Sequence, residues 1–477
     1  MTAYEVNAKA NDIVADSRKV TPGALFLAYP GEVVDGRDYI ADAINNGASA
    51  VLWESEGFTW QDDWQVENQP IANLKQAAGV IAGQLYADPS NHLWMIGVTG
   101  TNGKTSVTQW VGQCFDTLNQ QSAVIGTLGN GLLNQLTPTE NTTPDALVLQ
   151  KLLADYVKKG VDTVAMEVSS HGLSQGRVNG VHFDVAVLTN LSRDHLDYHG
   201  SYENYAEAKK RLFYFEGLKR VVLNADDGFG TSIQQDLDQA DVRVLTYGIE
   251  AGDVRASTIS FNSSTTCFFV TTPYGQADMQ LNLIGRFNVY NALAVLASLL
   301  ISDVSFNNAI EAVQKITPLD GRMQQFGGGE LPLVVVDFAH TPDSLQNVLQ
   351  ALREQTQQEL ICVFGCGGNR DIGKRAMMGK VASELADVVI VTSDNPRYES
   401  PEIIMQAVIE GIDGEYLAEQ DRAKAIAMAI ENARAGDVVV VAGKGHEAYQ
   451  EISGIKHPFS DVEQVLAALK RDEVTNT

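Results

Sequence analysis

The stretch Leu93-Trp-Met-Ile-Gly-Val-Thr-Gly-Thr-Asn-Gly-Lys-Thr-Ser106 runs an apolar strand into a glycine turn that ends on Lys104 and Thr105. Val107, Trp110, Val111, Cys114, Phe115 and Leu118 follow at helical spacing, so the turn stands at the N-terminus of an amphipathic helix. The free N–H groups and dipole of such a terminus make a cradle for phosphate. Gly100 and Gly103 let the backbone approach phosphate oxygens, Lys104 is placed to neutralise β- and γ-phosphates, and the Thr105 or Ser106 hydroxyl can join a Mg²⁺ shell. The spacing departs from the strict Walker form, which needs glycine where Val98 stands; Gly97 comes one residue early.

A length of 477 residues gives about three domains, each large enough to bury its own core. With 44% hydrophobic and 20% charged residues the chain has the composition of a globular protein. A formal net charge of -26 argues against a nucleic-acid surface, so anionic ligands must be met by local cations. The opening Met1-Thr-Ala-Tyr-Glu-Val-Asn-Ala8 has neither a basic nor an apolar signal region, and no apolar run is long enough to span a bilayer, so a cytoplasmic protein with no membrane insertion is expected. The four cysteines are too few for a disulfide framework, and Cys362 and Cys366 lie on a strand entering a glycine loop, not in a zinc spacing.

The best boundaries are the polar segments Asp88–His92 and Thr317–Arg322, dividing the chain into 1–90, 91–318 and 319–477. The first unit mixes short strands (24–29, 50–53) with helices (39–46, 74–86); its turns Asp16-Ser-Arg18 and Asp35-Gly-Arg37 are caps or ligand contacts. The middle unit alternates helices with β-rich runs at 163–168, 185–190 and 220–224, the pattern of a helix-covered parallel sheet. The last repeats that logic with runs at 333–338, 360–364, 388–392 and 438–442, a Rossmann-like unit whose ligands belong beyond the carboxyl ends of its strands. The fold class is therefore α/β: a central parallel-sheet P-loop domain between a small N-terminal α/β domain and a C-terminal Rossmann-like domain.

Glu167 ends an apolar run, where an unpaired charge would cost several kcal/mol, and so needs a cation. If its strand neighbours the phosphate-loop strand, it reaches a Mg²⁺ bridging the phosphates, with His195 after the next strand as a second ligand. On the last unit's loops lie Arg322, Asp337, His340 and Arg370, the latter directly after a glycine turn; Lys374 and Arg375 read as a solvated basic loop. Asp394-Asn-Pro-Arg397 offers a guanidinium on a proline-stiffened turn, suited to a carboxylate, and Glu447 could attract an ammonium.

Read together, Gly100–Thr105, Asn141-Thr-Thr-Pro144, Glu167–His171, Asn190–His195, Asp394–Arg397 and Gly443-Lys-Gly-His-Glu447 resemble the Mur ligases, in order and spacing over nearly the whole chain. Within that family the likeness is greatest to members that add 2,6-diaminopimelate to a UDP-muramoyl dipeptide in peptidoglycan precursor synthesis. The resemblance implies an N-terminal domain for the uridine nucleotide, a central ATPase and a C-terminal domain that closes over the site. It implies that Ser17 meets the UDP moiety, and that Asn141, Thr142, Thr143, Ser169, Gln175 and Arg177 hold the muramoyl dipeptide. The nucleotide set it implies is Gly100, Thr101, Asn102, Gly103, Lys104, Thr105 and Ser106 with Asn288, Arg322 and Asp337; Mg²⁺ falls to Thr105, Ser106, Glu167, His195 and Lys209.

Lys209 matches a lysine the family carries as a carbamate, though without the resemblance it is an ordinary helix-surface lysine beside Lys210 and Arg211. Diaminopimelate is implied at Arg370, Asp394, Asn395, Pro396, Arg397, Gly443 and Glu447, with Arg397 discriminating, since members using L-lysine generally lack that arginine. Glu32, Val33 and Val34 stand where relatives often place a His-Gln-Ala-like stretch, so side-chain contacts to UDP there depart from the pattern. The implied chemistry uses Lys104, Glu167, His195 and Lys209: a carboxylate attacks the γ-phosphate of ATP to give an acyl phosphate, which an amine converts to an amide. His171 and His340 are candidates for the base, and the enzyme is expected to work as a monomer on small molecules. The rivals are an L-lysine-adding homologue, a folylpolyglutamate-like amide ligase, and a nucleotide-binding scaffold without catalysis.

Overall fold

In the computed structural model residues 10–238, 241–262, 265–356 and 358–475 are described; the opening segment read above for a targeting signal, 1–8, lies outside them. Three sheets and one hairpin organise the chain. The first sheet is parallel and runs in chain order through Ile13–Val14, Leu25–Ala28, Ala50–Glu54 and Glu67–Ile71, with the helix Leu74–Leu85 packed on it. The two polar turns of this region prove to be caps, Asp16 accepting from Arg18 N and Asp35 from Arg37 N.

The central sheet has eleven strands, and its parallel part is built around Trp94–Thr99, flanked by Thr163–Glu167 on one side and Val185–Leu188 on the other. Strand alternation splits the core in two: Ile96 and Val98 join Val107, Trp110 and Leu293 on one face, while Met95 joins Val164, Met166 and Leu188 on the other. Gly97 stands one residue before the Walker position for a packing reason, since a Cβ there would lie 2.8 Å from the Phe183 ring. The helix Lys104–Thr117 packs on the long helix Arg286–Ile301, and Trp110 Nε1 donates to the Thr317 carbonyl at 2.9 Å. Both edges of this sheet are antiparallel: Gly129–Leu132 and Gln135–Thr137 at one, Thr266–Thr272 and Gly275–Leu281 at the other.

The third sheet sets Leu333–Asp337, Val438–Ala442, Leu360–Phe364 and Val388–Val391 parallel and side by side, with Gln324–Gly327 antiparallel at one edge and Leu417–Ala418 at the other. The hairpin Tyr449–Ile452/Ile455–Pro458 follows. Arg422 and Asp461 form a fully buried bidentate pair, both bonds at 2.7 Å, tying the helices Arg422–Asn432 and Asp461–Thr475 together. All four cysteines are free, and no helix among the described residues is long and apolar enough to cross a membrane.

Candidate functional site

One cavity of about 1090 Å³ is lined by the glycine turn, by loops at the carboxyl ends of the central strands, and by loops of the third sheet. The turn is held open by two glycines in backbone conformations that L-residues rarely adopt, Gly100 at φ +149° and Gly103 at φ +82°. A Cβ on Gly100 would fall 1.8 Å from Thr189 Oγ1. Thr101 N donates to the Asn190 carbonyl, Asn102 N to Asn190 Oδ1, and Thr101 Oγ1 bonds Ser192 O and Tyr205 OH. Thr101 and Asn102 thus fix the turn to the following loop. The helix beginning at Lys104 has no side-chain cap, so the first-turn N–H groups of Lys104, Thr105 and Ser106 have no intrahelical partner, as an anion requires.

Because Thr163–Glu167 pairs with the phosphate-loop strand in the register Val98↔Glu167, the carboxylate reaches the turn. Glu167 Oε2 accepts from Thr105 Oγ1 at 3.1 Å and Oε1 from Thr127 N at 2.7 Å. Gly126 leaves the space, since a Cβ there would lie 2.3 Å from Glu167 Oε1. A carboxylate beside hydroxyls is a hard-oxygen donor set suited to Mg²⁺, which uses few protein ligands and keeps waters and phosphate oxygens. Among the described residues no three His, Cys, Asp or Glu side chains converge as a preformed cluster. His195 belongs to a separate group: its Nε2 lies 3.4 Å from Asp194 Oδ2, and its ring meets His171 edge-on at 4.8 Å. Burial holds His195 well below its ordinary pKa and takes His171 down to about 4, so both rings are neutral with nitrogen lone pairs to offer.

Lys209 is not a surface lysine: it is 1% exposed, and its Nζ donates to the Gly100 carbonyl at 2.7 Å and lies 4.7 Å from the Tyr205 ring centre. Burial, then the charge of Lys104, pushes its pKa far down. Nor do Lys374 and Arg375 form a solvated loop. Both are buried at the start of the helix Gly373–Leu385, Arg375 bonding Glu399 and Lys374 lying 3.8 Å from Asp194 Oδ1. Each cation is buried against a carboxylate, Lys374 against the buried Asp194 and Arg375 against the half-buried Glu399.

Asn141, Thr142, Ser169 and Arg177 line the cavity, whereas Thr143 and Gln175 support it. Thr143 Oγ1 donates to the Glu167 carbonyl, and Gln175 Oε1 accepts from Arg177 Nε while its Nε2 donates to Glu32 at 2.6 Å. Ser17 lies apart from the cavity, buried in the first domain, with its carbonyl accepting from Asn46 Nδ2. Asn288, Arg322 and Asp337 all line the cavity. Arg322 donates to Thr105 Oγ1 at 3.1 Å and lies 4.3 Å from the Phe338 ring centre, while Asp337 accepts from Met323 N and Ala339 N.

Arg370, Asp394, Asn395, Arg397, Gly443 and Glu447 line the same cavity; Pro396 does not. Asn395 Nδ2 donates to Glu447 Oε2 at 2.8 Å, and Arg397 is held in the left-handed region at φ +52° with Nη1 donating to the Gly368 carbonyl. The glycine turn with Lys104 and the loops carrying Arg370 and Arg397 thus line one chamber.

The residues 98–299 match the model of the Mur ligase middle domain, 321–445 that of the Mur ligase glutamate ligase domain, and 10–86 that of the Mur ligase family catalytic domain. The chain belongs to the Mur ligase family. It is 51% identical over 453 residues to the UDP-N-acetylmuramoyl-L-alanyl-D-glutamate–2,6-diaminopimelate ligase of Chromobacterium violaceum, covering 94% of this chain and 92% of that protein. To the protein of the same name from Nitrosomonas europaea it is 47% identical over 489 residues, covering 98% and 94%. A solved structure bearing that name is similar with a TM-score of 0.71 at 39% identity, covering 98% of each chain.

The Mur ligase site also contains pairings that the sequence did not show. Asp194 touches His195, His340 and Lys374, so it joins the central domain to the third; burial would raise its pKa, but those three neighbours hold it well below the carboxylate range. Arg193–Asp371 at 3.1 Å and Asn102 Nδ2 to Asp343 Oδ2 at 2.7 Å make the same crossing. Lys444, fully buried, donates to Asn395 Oδ1 and Glu447 Oε2. Asp194, Arg193, Asn102 and Lys444 all stand within motifs already quoted, and Lys444–Glu447 is local to one of them; the pairings with Lys374, Asp371, Asp343 and Asn395 carry no local sequence signal because the partners lie far apart in the chain.

Proposed function

We propose that this Mur ligase uses ATP to join meso-2,6-diaminopimelate to UDP-N-acetylmuramoyl-L-alanyl-D-glutamate, in the cytoplasm and as a monomer, during peptidoglycan precursor synthesis. The observation that carries this reading is a single chamber lined both by the Lys104 phosphate cradle and by the Arg397 loop, in a chain 51% identical to a relative of that name. A carboxylate is a poor electrophile, so the D-glutamate γ-carboxylate first attacks the γ-phosphorus of ATP; the bond to the ADP oxygen breaks and an acyl phosphate forms. Lys104 and the open first-turn N–H groups seat the phosphates and offset charge on the transferring group. Magnesium ions would supply further charge neutralisation, held by Thr105 or Ser106, Glu167, His195 and Lys209, the last as a carbamate able to hold a second ion.

Asn141, Thr142, Ser169 and Arg177 orient the muramoyl dipeptide, with Thr143 and Gln175 behind them, and Ser17 serves the uridine end. Arg370, Asp394, Asn395, Arg397, Gly443 and Glu447 hold the incoming diamino acid so that its amine faces the acyl carbon. Nucleophilic attack by the amine on the acyl carbon, with the amine's proton passing to a base for which His171 and His340 are the candidates, gives a tetrahedral intermediate whose collapse expels phosphate and leaves the amide. Asn288, Arg322 and Asp337 complete the nucleotide site. Phosphate release from ATP tests the reading when each amino acid is offered with and without the muramoyl dipeptide. Release that requires both acceptor and diaminopimelate supports it; equal or better turnover with L-lysine overturns the choice of amino acid.

A further inference from the structure

Arg397 is gripped from one side by a residue outside the chamber. Its backbone N donates to the Glu451 carbonyl at 3.0 Å, and its own carbonyl accepts from Ser453 N at 2.7 Å, so the first strand and turn of the hairpin Tyr449–Ile452/Ile455–Pro458 hold it in its left-handed conformation. Its side chain is then fixed twice, by Nη1 on the Gly368 carbonyl at 2.8 Å and by Nε 3.2 Å from Glu451 Oε2. Gly367 leaves room for that path, since a Cβ there would stand 2.8 Å from Arg397 Nη1. The same hairpin is coupled to the other polar end of the subsite: Glu451 N donates to Asn395 Oδ1, which also accepts from Lys444, while Asn395 Nδ2 and Lys444 Nζ both meet Glu447 Oε2. Arg397 lines the chamber and Glu451 does not.

We propose that Glu451 is a positioning residue which, by holding Arg397 Nε, presents the guanidinium to the distal carboxylate of the incoming diamino acid and thereby sets the preference for diaminopimelate over L-lysine. This rests on the function proposed above. A flexible arginine would lose rotamer freedom on gripping a carboxylate; one already fixed at two nitrogens has paid less of that loss when the ligand arrives. L-lysine has no distal carboxylate, so its use does not depend on the arrangement.

The test is steady-state kinetics of the full chain by phosphate release, varying diaminopimelate or L-lysine with ATP and acceptor saturating. Glu451→Ala is expected to raise KM for diaminopimelate by about tenfold, the loss typical of one charge-assisted contact, with kcat, KM for ATP and the L-lysine kinetics unchanged. Glu451→Gln keeps a carbonyl oxygen for Arg397 Nε and should recover most of the affinity. In the Arg397→Ala background, Glu451→Ala should add nothing. An unchanged KM in Glu451→Ala overturns the proposal, and so does a Gln variant as damaged as Ala, which would mean that Glu451 pairs with a substrate ammonium directly. If the unmodified protein makes no product with diaminopimelate, the functional reading falls too; normal turnover with an insensitive Glu451→Ala removes this inference alone.

Discussion

Lys104 and Lys209 place their Nζ atoms on one acceptor, the Gly100 carbonyl oxygen, at 2.9 and 2.7 Å. Two full ammonium charges on one carbonyl repel; burial lowers the pKa of both lysines, and for Lys209 burial followed by the charge of Lys104 drives it far down, which favours its neutral amine. A neutral amine is the form that adds CO₂, and the resulting carbamate turns a buried repulsion into attraction for Lys104 and for magnesium. Lys209→Ala should therefore abolish turnover and be rescued in part by short carboxylates. Indifference of the unmodified protein to CO₂ depletion, with no CO₂ adduct by mass spectrometry, would count against the carbamate.

Lys104→Ala should lower kcat by about a hundredfold or more, the loss expected when one charge-stabilising donor is removed from a phosphoryl-transfer site. The circular dichroism spectrum should not change, because Lys104 Nζ bonds the Gly100 and Thr101 carbonyls of its own turn and, among the described residues, ties no other element to it. Near-normal activity would refute the cradle.

Arg397→Ala should raise KM for diaminopimelate by about tenfold to a hundredfold, the range for a charge-assisted contact, and leave KM for ATP unaltered. Kinetics with each substrate varied in turn read this directly, and an unchanged amino-acid KM would exclude Arg397 from the subsite.

Burial lowers His171, His340 and His446 each to about 4, with His199, Lys374 and Arg322 respectively adding repulsion. In the unfolded chain they titrate near 6.5, so between those values the unfolded state holds protons that the folded state does not, and acid favours unfolding. Stability should be complete above about pH 6.5, fall as the pH drops towards 4, and stop falling from this cause below it. Thermal midpoints measured across that window check the sign; a midpoint that rises on acidification would contradict it.

Arg422 and Asp461 are both fully buried, so truncating either leaves an unpaired charge in the core between the last two helices. Arg422→Ala should destabilise the protein by about 3–5 kcal/mol, read by denaturant unfolding, and a shift below 1 kcal/mol would mean the site rehydrates.

Much of the architecture is legible in the sequence because the strands that build the chamber are continuous apolar runs. Thr163–Glu167, Val185–Leu188, Leu333–Asp337 and Val438–Ala442 are buried on both faces, and their flanking loops carry the polar site residues. The antiparallel edges are harder to see: Thr266–Thr272 alternates buried and half-buried positions and has threonines at both ends, and Gly129–Leu132 is rich in glycine and asparagine. Local spacing shows that Lys104 and Thr105 open a helix, yet it cannot show that Lys209 turns inward on a helix with lysine and arginine beside it. The Arg397–Glu451 and Asp194–Lys374 pairings depend on how distant loops meet, and neither has a periodic signature.

The central claim is that the terminal phosphoryl group of ATP passes to the substrate carboxylate before the amide forms. It is tested most directly by labelling both oxygens of the D-glutamate γ-carboxylate with a heavy oxygen isotope and analysing the inorganic phosphate released in the complete reaction. The account predicts that each phosphate carries one labelled oxygen from the carboxylate. Phosphate free of label, formed alongside the amide product, would contradict it.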